Sequence, residues 1–334
     1  MKVSIVIPVY NVSNYIERCI LSVMNQTYQD IECLIVNDCT PDDSMIKCQK
    51  ILSDYQGPIR FVILNHEKNM GQAAARNTGT EVASGEYIYY LDSDDDITSD
   101  CIASLLEIAE KDSQIEMVQG NYSTCCGEDI CPHNWDGKAI HIIGNEMAKS
   151  YTHNDKGLNV FVWNKLIRLS FLKKNNIKFR EGVIHEDNLW MFYVKKYLTN
   201  LWLLPSITYN YYIRSGSIMR ATSMNVMGDC WALIYKEILD NLTHGKERIE
   251  LQDNVGYFCS LYLAQNKNNS AYESLYDLFL NSSLKHHAWK AYLMLLTTKA
   301  MNKMNIGVCT LDQIIVMRLK IISLLRPFLK WNKC

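Results

Sequence analysis

Four aspartates stand within five positions of the sequence, in the stretch YYLDSDDDITSD. They are Asp92, Asp94, Asp95 and Asp96, and they directly follow residues whose apolar character predicts a buried strand. Carboxylates this close repel one another and raise each other's pKa unless a positive charge neutralises them. The spacing therefore indicates a positively charged partner.

Two kinds of aspartate-rich site can be compared with this stretch first. An EF-hand loop beginning at Asp92 would need glycine at its sixth position and glutamate at its twelfth, where the sequence has Ile97 and Ala103. A calcium loop is therefore excluded. The letters DxDxT of haloacid-dehalogenase-like phosphatases do occur over residues 94–98. That motif is expected after the first strand of a domain, and here it follows the fourth.

A third interpretation is a DxD metal site, in which Asp92 and Asp94 hold Mg²⁺ or Mn²⁺ against a diphosphate. Hard cations take oxygen ligands, which substrate phosphates commonly complete. The alternative is a solvated acidic loop in which Ser93 or Asp95 caps the next helix. Residues 89–100 alone fit both interpretations.

Alternating strands and helices must position these side chains. The sequence predicts strands at 2–10, 31–38, 59–65 and 85–96, with helices at 11–26, 44–55 and 71–83. Four strands that alternate with helices favour βαβ units and a mostly parallel, Rossmann-like sheet flanked by helices. Ligands of such sheets bind at the carboxyl ends of the strands. Polar residues converge there, at Asn11, at Asp38 and at the aspartate stretch.

The remainder of the chain is less regular. Residues 162–177, which begin VWNKL, are predicted as a helix, as are residues 185–197, which open with two acids. From about residue 223 the pattern is helical throughout. The sequence therefore predicts a domain over 1–222, with a nucleotide-binding half near 1–100 and an acceptor half near 101–222, followed by a helical region over 223–334.

Composition excludes some functions. The 334 residues are 48% hydrophobic and 21% charged, as in a globular chain, and the formal net charge of −2 gives no overall attraction to nucleic acid. The twelve cysteines are scattered without a CxxC pair, which predicts a reduced, cytoplasmic setting. The apolar run at the start of the sequence, interrupted at Pro8 and Asn11, is too short for a signal peptide or a membrane span.

Five segments in order, VSIVIPVYN, LIVNDCTPDDS, NMGQAAARNTG, GEYIYYLDSDDD and HEDNLW, together resemble glycosyltransferase family 2. The resemblance is densest over residues 1–100 and continues through VWNKL (162–166), HED (185–187) and YIRSGSI (212–218). It implies the GT-A fold, an inverting transfer from a nucleotide-sugar donor, usually a UDP-sugar, and a divalent metal, Mn²⁺ or Mg²⁺.

Carried onto this sequence, the resemblance implies a site with several parts. The donor-binding residues would be Pro8, Val9, Tyr10, Asn11, Asp38, Arg76, Asp92, Ser93 and Arg214. Asp38 would accept a hydrogen bond from the base, although the family's usual Gly-Ser after the acids is Cys39-Thr40 here. Arg76 would lie near the base and phosphates, and Arg214 in a basic loop over the diphosphate. Asp92 would lie near the ribose and the metal, and Asp94 would ligate the metal.

The acid pair Glu186-Asp187 has two interpretations. Acids in the first turn of a helix are favoured by the helix dipole whatever their function. As a catalytic pair, Asp187 would be the general base that takes a proton from the acceptor hydroxyl, with Glu186 beside it contacting acceptor or donor. The resemblance favours the second interpretation.

The predicted function is transfer of a sugar to a hydroxyl of a glycan or lipid-linked glycan in bacterial surface polysaccharide synthesis. The alternatives are a phosphohydrolase with Asp94 as nucleophile and a non-catalytic nucleotide-sugar-binding relative.

The tail, residues 312–334, carries five basic residues and no acid after Asp312. It suits either peripheral contact with the inner face of the plasma membrane or burial against preceding helices.

Overall fold

The computed structural model describes residues 1–126, 129–132, 138–144, 158–213 and 224–241, together with 276–277 and 280–281. The chain divides into two compact units, Met1–Arg220 and Ala221–Cys334. In the second unit the structure describes one long helix, α7 (Met224–Asn241).

The first unit alternates strands and helices. Its strands are β1 (Val3–Val9), β2 (Ile31–Asn37), β3 (Arg60–Asn65), β4 (Tyr87–Tyr90), β5 (Asp96–Ile97), β6 (Met117–Cys126), β7 (Asp129–Pro132), β8 (Ile140–Ile143), β9 (Lys165–Arg168) and β10 (Asn200–Tyr212). Its helices are α1 (Ile16–Met24), α2 (Ser44–Asp54), α3 (Gln72–Val82), α4 (Cys101–Ala109), α5 (Leu169–Lys174) and α6 (Glu186–Tyr197).

These strands form one sheet in the order β3-β2-β1-β4-β9-β6-β10-β5, with β7 paired to β6 and β8 to β10. The run β3-β2-β1-β4 is parallel, as is the pair β6-β10. Strand β9 lies antiparallel between β4 and β6 and joins the two parallel parts. The predicted mostly parallel sheet flanked by helices is confirmed.

Both faces of this sheet are covered. All seven residues of β1 are buried, and alternate side chains belong to two separate cores. Ile5 and Ile7 pack with α1, α2 and α4, whereas Val6 packs with α3, α5 and α6. A strand buried on both sides needs apolar residues at nearly every position, which is why the N-terminal segment shows no polar alternation.

Two predicted elements differ from the structure. The strand predicted over 85–96 ends at Tyr90, and the chain turns through the aspartates before Asp96–Ile97 pairs antiparallel with β10. The helix predicted over 162–177 is instead the short strand β9 followed by helix α5. The four residues of this central strand, three of them buried, carry no periodicity that distinguishes them from a helix.

Candidate active site

The carboxyl ends of β1, β2 and β4 meet at one edge of the sheet. Asp38 N–H bonds Val9 C=O at 3.0 Å, and Leu91 N–H bonds Val6 C=O at 3.0 Å, so the alignment of the strands continues to their last residues. Among the predicted base-loop residues, Pro8 and Val9 are buried in β1. Tyr10 is 44% exposed, and Asn11 follows it, also exposed, with a left-handed φ of 54°. Tyr10 and Asn11 thus offer the accessible surface at this edge.

Asp38 is 2% exposed, and its carboxylate holds the loop between β3 and α3. Met70 N–H donates to Oδ1 at 2.8 Å, and Gly71 N–H donates to Oδ2 at 2.7 Å. His66 Nδ1 lies 2.7 Å from Oδ1. A base contact through Asp38, as predicted from the resemblance, would therefore use an oxygen that already accepts protein N–H groups.

Two of the four crowded aspartates are engaged by strand β10. Asp95 is 1% exposed and accepts Tyr209 O–H at 2.7 Å and Tyr212 N–H at 2.8 Å. Burial and the neighbouring carboxylates of Asp94 and Asp92 raise the pKa of Asp95 well above its ordinary value. Asp96 accepts the side-chain amide of Asn210 at 2.7 Å, and its Oδ2 lies 3.0 Å from Arg18 Nε. These two carboxylates fasten the turn to the sheet.

The other two, Asp92 and Asp94, are half-buried at the strand end, with Ser93 buried between them. Gln72 and Arg76 both donate to Oδ1 of Asp92, at 3.1 and 2.7 Å. Across the described parts of the chain, no cluster of three or more His, Cys, Asp or Glu side chains is arranged to hold a metal. Two carboxylates nevertheless fit Mg²⁺ or Mn²⁺, because such ions keep one or two protein ligands and take other oxygens from substrate phosphates and water.

Arg76 links this turn to the acid pair. It projects from α3, is 3% exposed, and donates to Asp92 Oδ1 and to Glu186 Oε1 at 2.7 Å each. Although burial alone lowers the pKa of the guanidinium, Asp92 and Glu186 raise it above its ordinary value. The ring of Phe179 lies 5.5 Å from Arg76 Cζ. Arg76 thereby bridges a carboxylate of the aspartate turn, residues 92–96, and a carboxylate of the acid pair.

Glu186 and Asp187 form the first turn of α6, immediately after His185, whose φ of 66° turns the chain into the helix. Glu186 is 8% exposed, and Asp187 is half-buried. Burial raises the pKa of both carboxyls, and in both cases the charge of Arg76 opposes the shift. Asn188 donates to Asp187 Oδ1 from its backbone N–H and its side-chain amide, at 2.9 Å each.

Sequence reasoning missed three residues that contact these groups: Arg18, His66 and Gln72. Gln72 stands four positions before Arg76 on α3, so the two share a helix face, and this spacing was a usable signal. Arg18 and His66 are distant in sequence from Asp96 and Asp38, and they meet these carboxylates only once the chain has folded.

Arg214 and the basic tail lie outside the described residues. Among the helices that the structure describes, none is long and apolar enough to cross a membrane.

Residues 4–174 match the family model described as glycosyl transferase family 2. Glycosyltransferase GlyG of Streptococcus pneumoniae is 31% identical over 230 residues, which cover 65% of this chain and 73% of GlyG. Other curated glycosyltransferases are matched over a smaller share, down to 36% of their length.

Solved structures are similar over most of the chain. The complex of S. aureus TarS 1-349 with UDP-GlcNAc has a TM-score of 0.66 at 19% identity, covering 91% of this chain and 92% of that one. The mannosyltransferase PcManGT of Pyrobaculum calidifontis, in complex with GDP-Man and Mn²⁺, has a TM-score of 0.54 at 11% identity, covering 92% and 88%. These likenesses show the fold, which is the GT-A fold expected from the sequence.

Proposed function

Because the chain belongs to glycosyltransferase family 2, we propose that it moves one sugar from a UDP-sugar to a hydroxyl of a glycan or lipid-linked glycan, with inversion. The observation that carries the proposal is the Arg76 bridge, with 2.7 Å contacts to Asp92 and to Glu186. It connects one carboxylate of the aspartate turn with one of the acid pair, which supports a donor site and an acceptor site side by side. Transfer needs both, since one group must hold the diphosphate while another activates the acceptor.

Each side of the site has its own task. Asp92 and Asp94 would hold Mn²⁺ or Mg²⁺, which when bound stabilises charge on the departing diphosphate. Tyr10 and Asn11 would contact the base at the exposed end of β1. The Mn²⁺ complex of PcManGT and the UDP-GlcNAc complex of TarS support a metal and a nucleotide sugar as ligands of this fold.

Asp187 is the proposed general base. Because Asn188 donates twice to Oδ1, we assign proton transfer to Oδ2. The acceptor hydroxyl gives its proton to Oδ2 as its oxygen bonds to the anomeric carbon. The bond between that carbon and the phosphate oxygen breaks, and its electron pair leaves with the nucleoside diphosphate. A single displacement from the far side inverts the configuration.

A screen of nucleotide sugars by thermal shift, with and without Mn²⁺, tests the donor. Ligands that bind the native state raise its stability by RT ln(1 + [L]/Kd). We expect UDP and one UDP-sugar to raise the melting temperature with Mn²⁺ present. NMR of the anomeric proton in the product then tests inversion. A protein that binds no nucleotide sugar and releases no nucleotide from any of them is not the proposed enzyme.

The two alternative functions fare differently. A phosphohydrolase with the DxDxT motif would need its second acid, Asp96, as an acid–base group. Asp96 is 8% exposed and is engaged by Arg18 and Asn210, so this alternative has no structural support. A non-catalytic binding relative would bind UDP-sugars without consuming them, which the release assay distinguishes.

A further inference from the structure

Arg18 connects three parts of the fold around the aspartate turn. It stands in the first turn of α1, and its side chain is 36% exposed. Its guanidinium Nη2 donates to the backbone C=O of Asp94 at 2.5 Å. Its Nε lies 3.0 Å from Asp96 Oδ2, and its Cζ lies 3.4 Å above the ring of Tyr212 in β10.

These contacts constrain Asp94 through its main chain. A guanidinium is planar and rigid, so one that lies over an aromatic ring and also contacts a carboxylate has few orientations left. Its hydrogen bond to the Asp94 carbonyl therefore restrains the backbone from which the Asp94 side chain projects. The same cation pairs with Asp96, one of four crowded carboxylates that repel one another.

We propose that Arg18 is a positioning residue that sets Asp94 in place for a divalent cation and the diphosphate it carries. The inference rests on the proposed function, because it assigns Arg18 to the same donor site. Metal ligands tolerate errors of about 0.2 Å in distance, so a small displacement of the Asp94 backbone weakens binding.

Arg18→Gln and Arg18→Lys test the inference by calorimetric titration of Mn²⁺ into the protein saturated with UDP. Glutamine removes the charge and the fork, and we expect its Kd for Mn²⁺ to rise about tenfold, or about 1.4 kcal/mol. Lysine keeps the charge and loses the planar fork, so we expect a smaller rise. In transfer assays the metal concentration for half activation should rise in parallel, with kcat at saturating metal within about threefold of wild type.

Arg168→Gln is the matched control. Arg168 has the same three kinds of partner, namely the carboxylate of Glu86 at 2.7 Å, the backbone C=O of Ile115 at 3.2 Å and the ring of Tyr87 at 4.7 Å. It ends β9, opposite Tyr87 at the start of β4, whereas the aspartate turn follows the end of β4. We expect this variant to lower the melting temperature and to leave the Kd for Mn²⁺ unchanged.

The outcomes separate the two proposals. Wild-type protein that fails to bind UDP refutes the proposed function. UDP binding that ignores Mn²⁺ refutes the metal role of Asp94 and this inference with it. If wild type binds Mn²⁺ with UDP, the inference is wrong when Arg18→Gln keeps the wild-type Kd, or when Arg168→Gln raises it equally.

Discussion

Replacing Asp187 by Asn tests the chemistry of the site with little disturbance of its structure. The amide keeps an Oδ1 that can accept both hydrogen bonds from Asn188, each 2.9 Å long. It cannot take a proton from a hydroxyl. Loss of a general base typically lowers the rate by about 10²–10⁴, or about 2.7–5.4 kcal/mol of transition-state stabilisation. We therefore expect kcat to fall at least a hundredfold while the KM for the donor changes little.

Stability gives this variant an independent readout. Burial raises the pKa of Asp187, so the folded protein binds its proton more tightly than the unfolded chain does. Such a group lowers the free energy of unfolding as pH rises from the ordinary aspartate pKa through the raised one. Asp187→Asn removes this dependence, so its melting temperature at neutral pH should equal or exceed that of wild type.

The pH profile follows from the same shift. The base works when it is deprotonated, so wild-type kcat should fall as pH decreases through the raised pKa of Asp187. The residual activity of Asp187→Asn should lack this acidic limb. Coupling with the buried Glu186 makes the limb a property of the pair.

Glu186→Gln is the matched comparison for the base assignment. It weakens the 2.7 Å contact with Arg76, so we expect the free energy of unfolding to fall by about 1–3 kcal/mol. We expect its loss of kcat to be smaller than that of Asp187→Asn. The base assignment is wrong if Asp187→Asn keeps its kcat within threefold of wild type. A loss of kcat that follows Glu186 instead would make that residue the base.

Further predictions concern the donor site and the tail. Asp94→Ala should abolish the Mn²⁺ dependence of UDP stabilisation in thermal shift, and unchanged UDP binding in excess chelator would remove the metal assignment. Asp38→Asn turns an amide toward the N–H groups of Met70 or Gly71, so urea titration should show about 1–3 kcal/mol less stability. The Kd of this variant for UDP should also rise, because the loop between β3 and α3 shifts. Truncation after Thr310 should abolish sedimentation with anionic liposomes, and binding that is unchanged by truncation and by salt contradicts a membrane role.

Local patterns were sufficient for much of the fold. The apolar run of β1 and the three βα alternations that follow are properties of neighbouring residues, and the structure has them. The sequence predicts helix where the structure has strand β9, because these four residues, inserted between β4 and β6, owe their conformation to distant partners. The site shows the same division. The acids could be recognised from their spacing, but their contacts with arginines could not, since Arg18 is 76 positions from Asp94 and Arg76 is 110 from Glu186.

The aspartate turn divides its four carboxylates between structure and chemistry. Asp95 and Asp96 accept hydrogen bonds from tyrosine and asparagine side chains and a backbone N–H of β10, and Asp96 also pairs with Arg18 of α1. Asp92 and Asp94 remain half-buried at the edge of the sheet. Two carboxylates of the cluster thus fasten the turn to the sheet, and the other two lie at the edge where we propose that the donor binds.

Two arginines hold the aspartate turn in place. Arg18 contacts Asp96 and the Asp94 backbone from one side, and Arg76 contacts Asp92 and Glu186 from the other. A cation introduced with the substrate diphosphate would meet a turn whose backbone is already held, so little ordering remains to oppose its binding. Loss of Arg18 should therefore weaken metal binding, whereas loss of Asp94 should remove the metal's effect altogether.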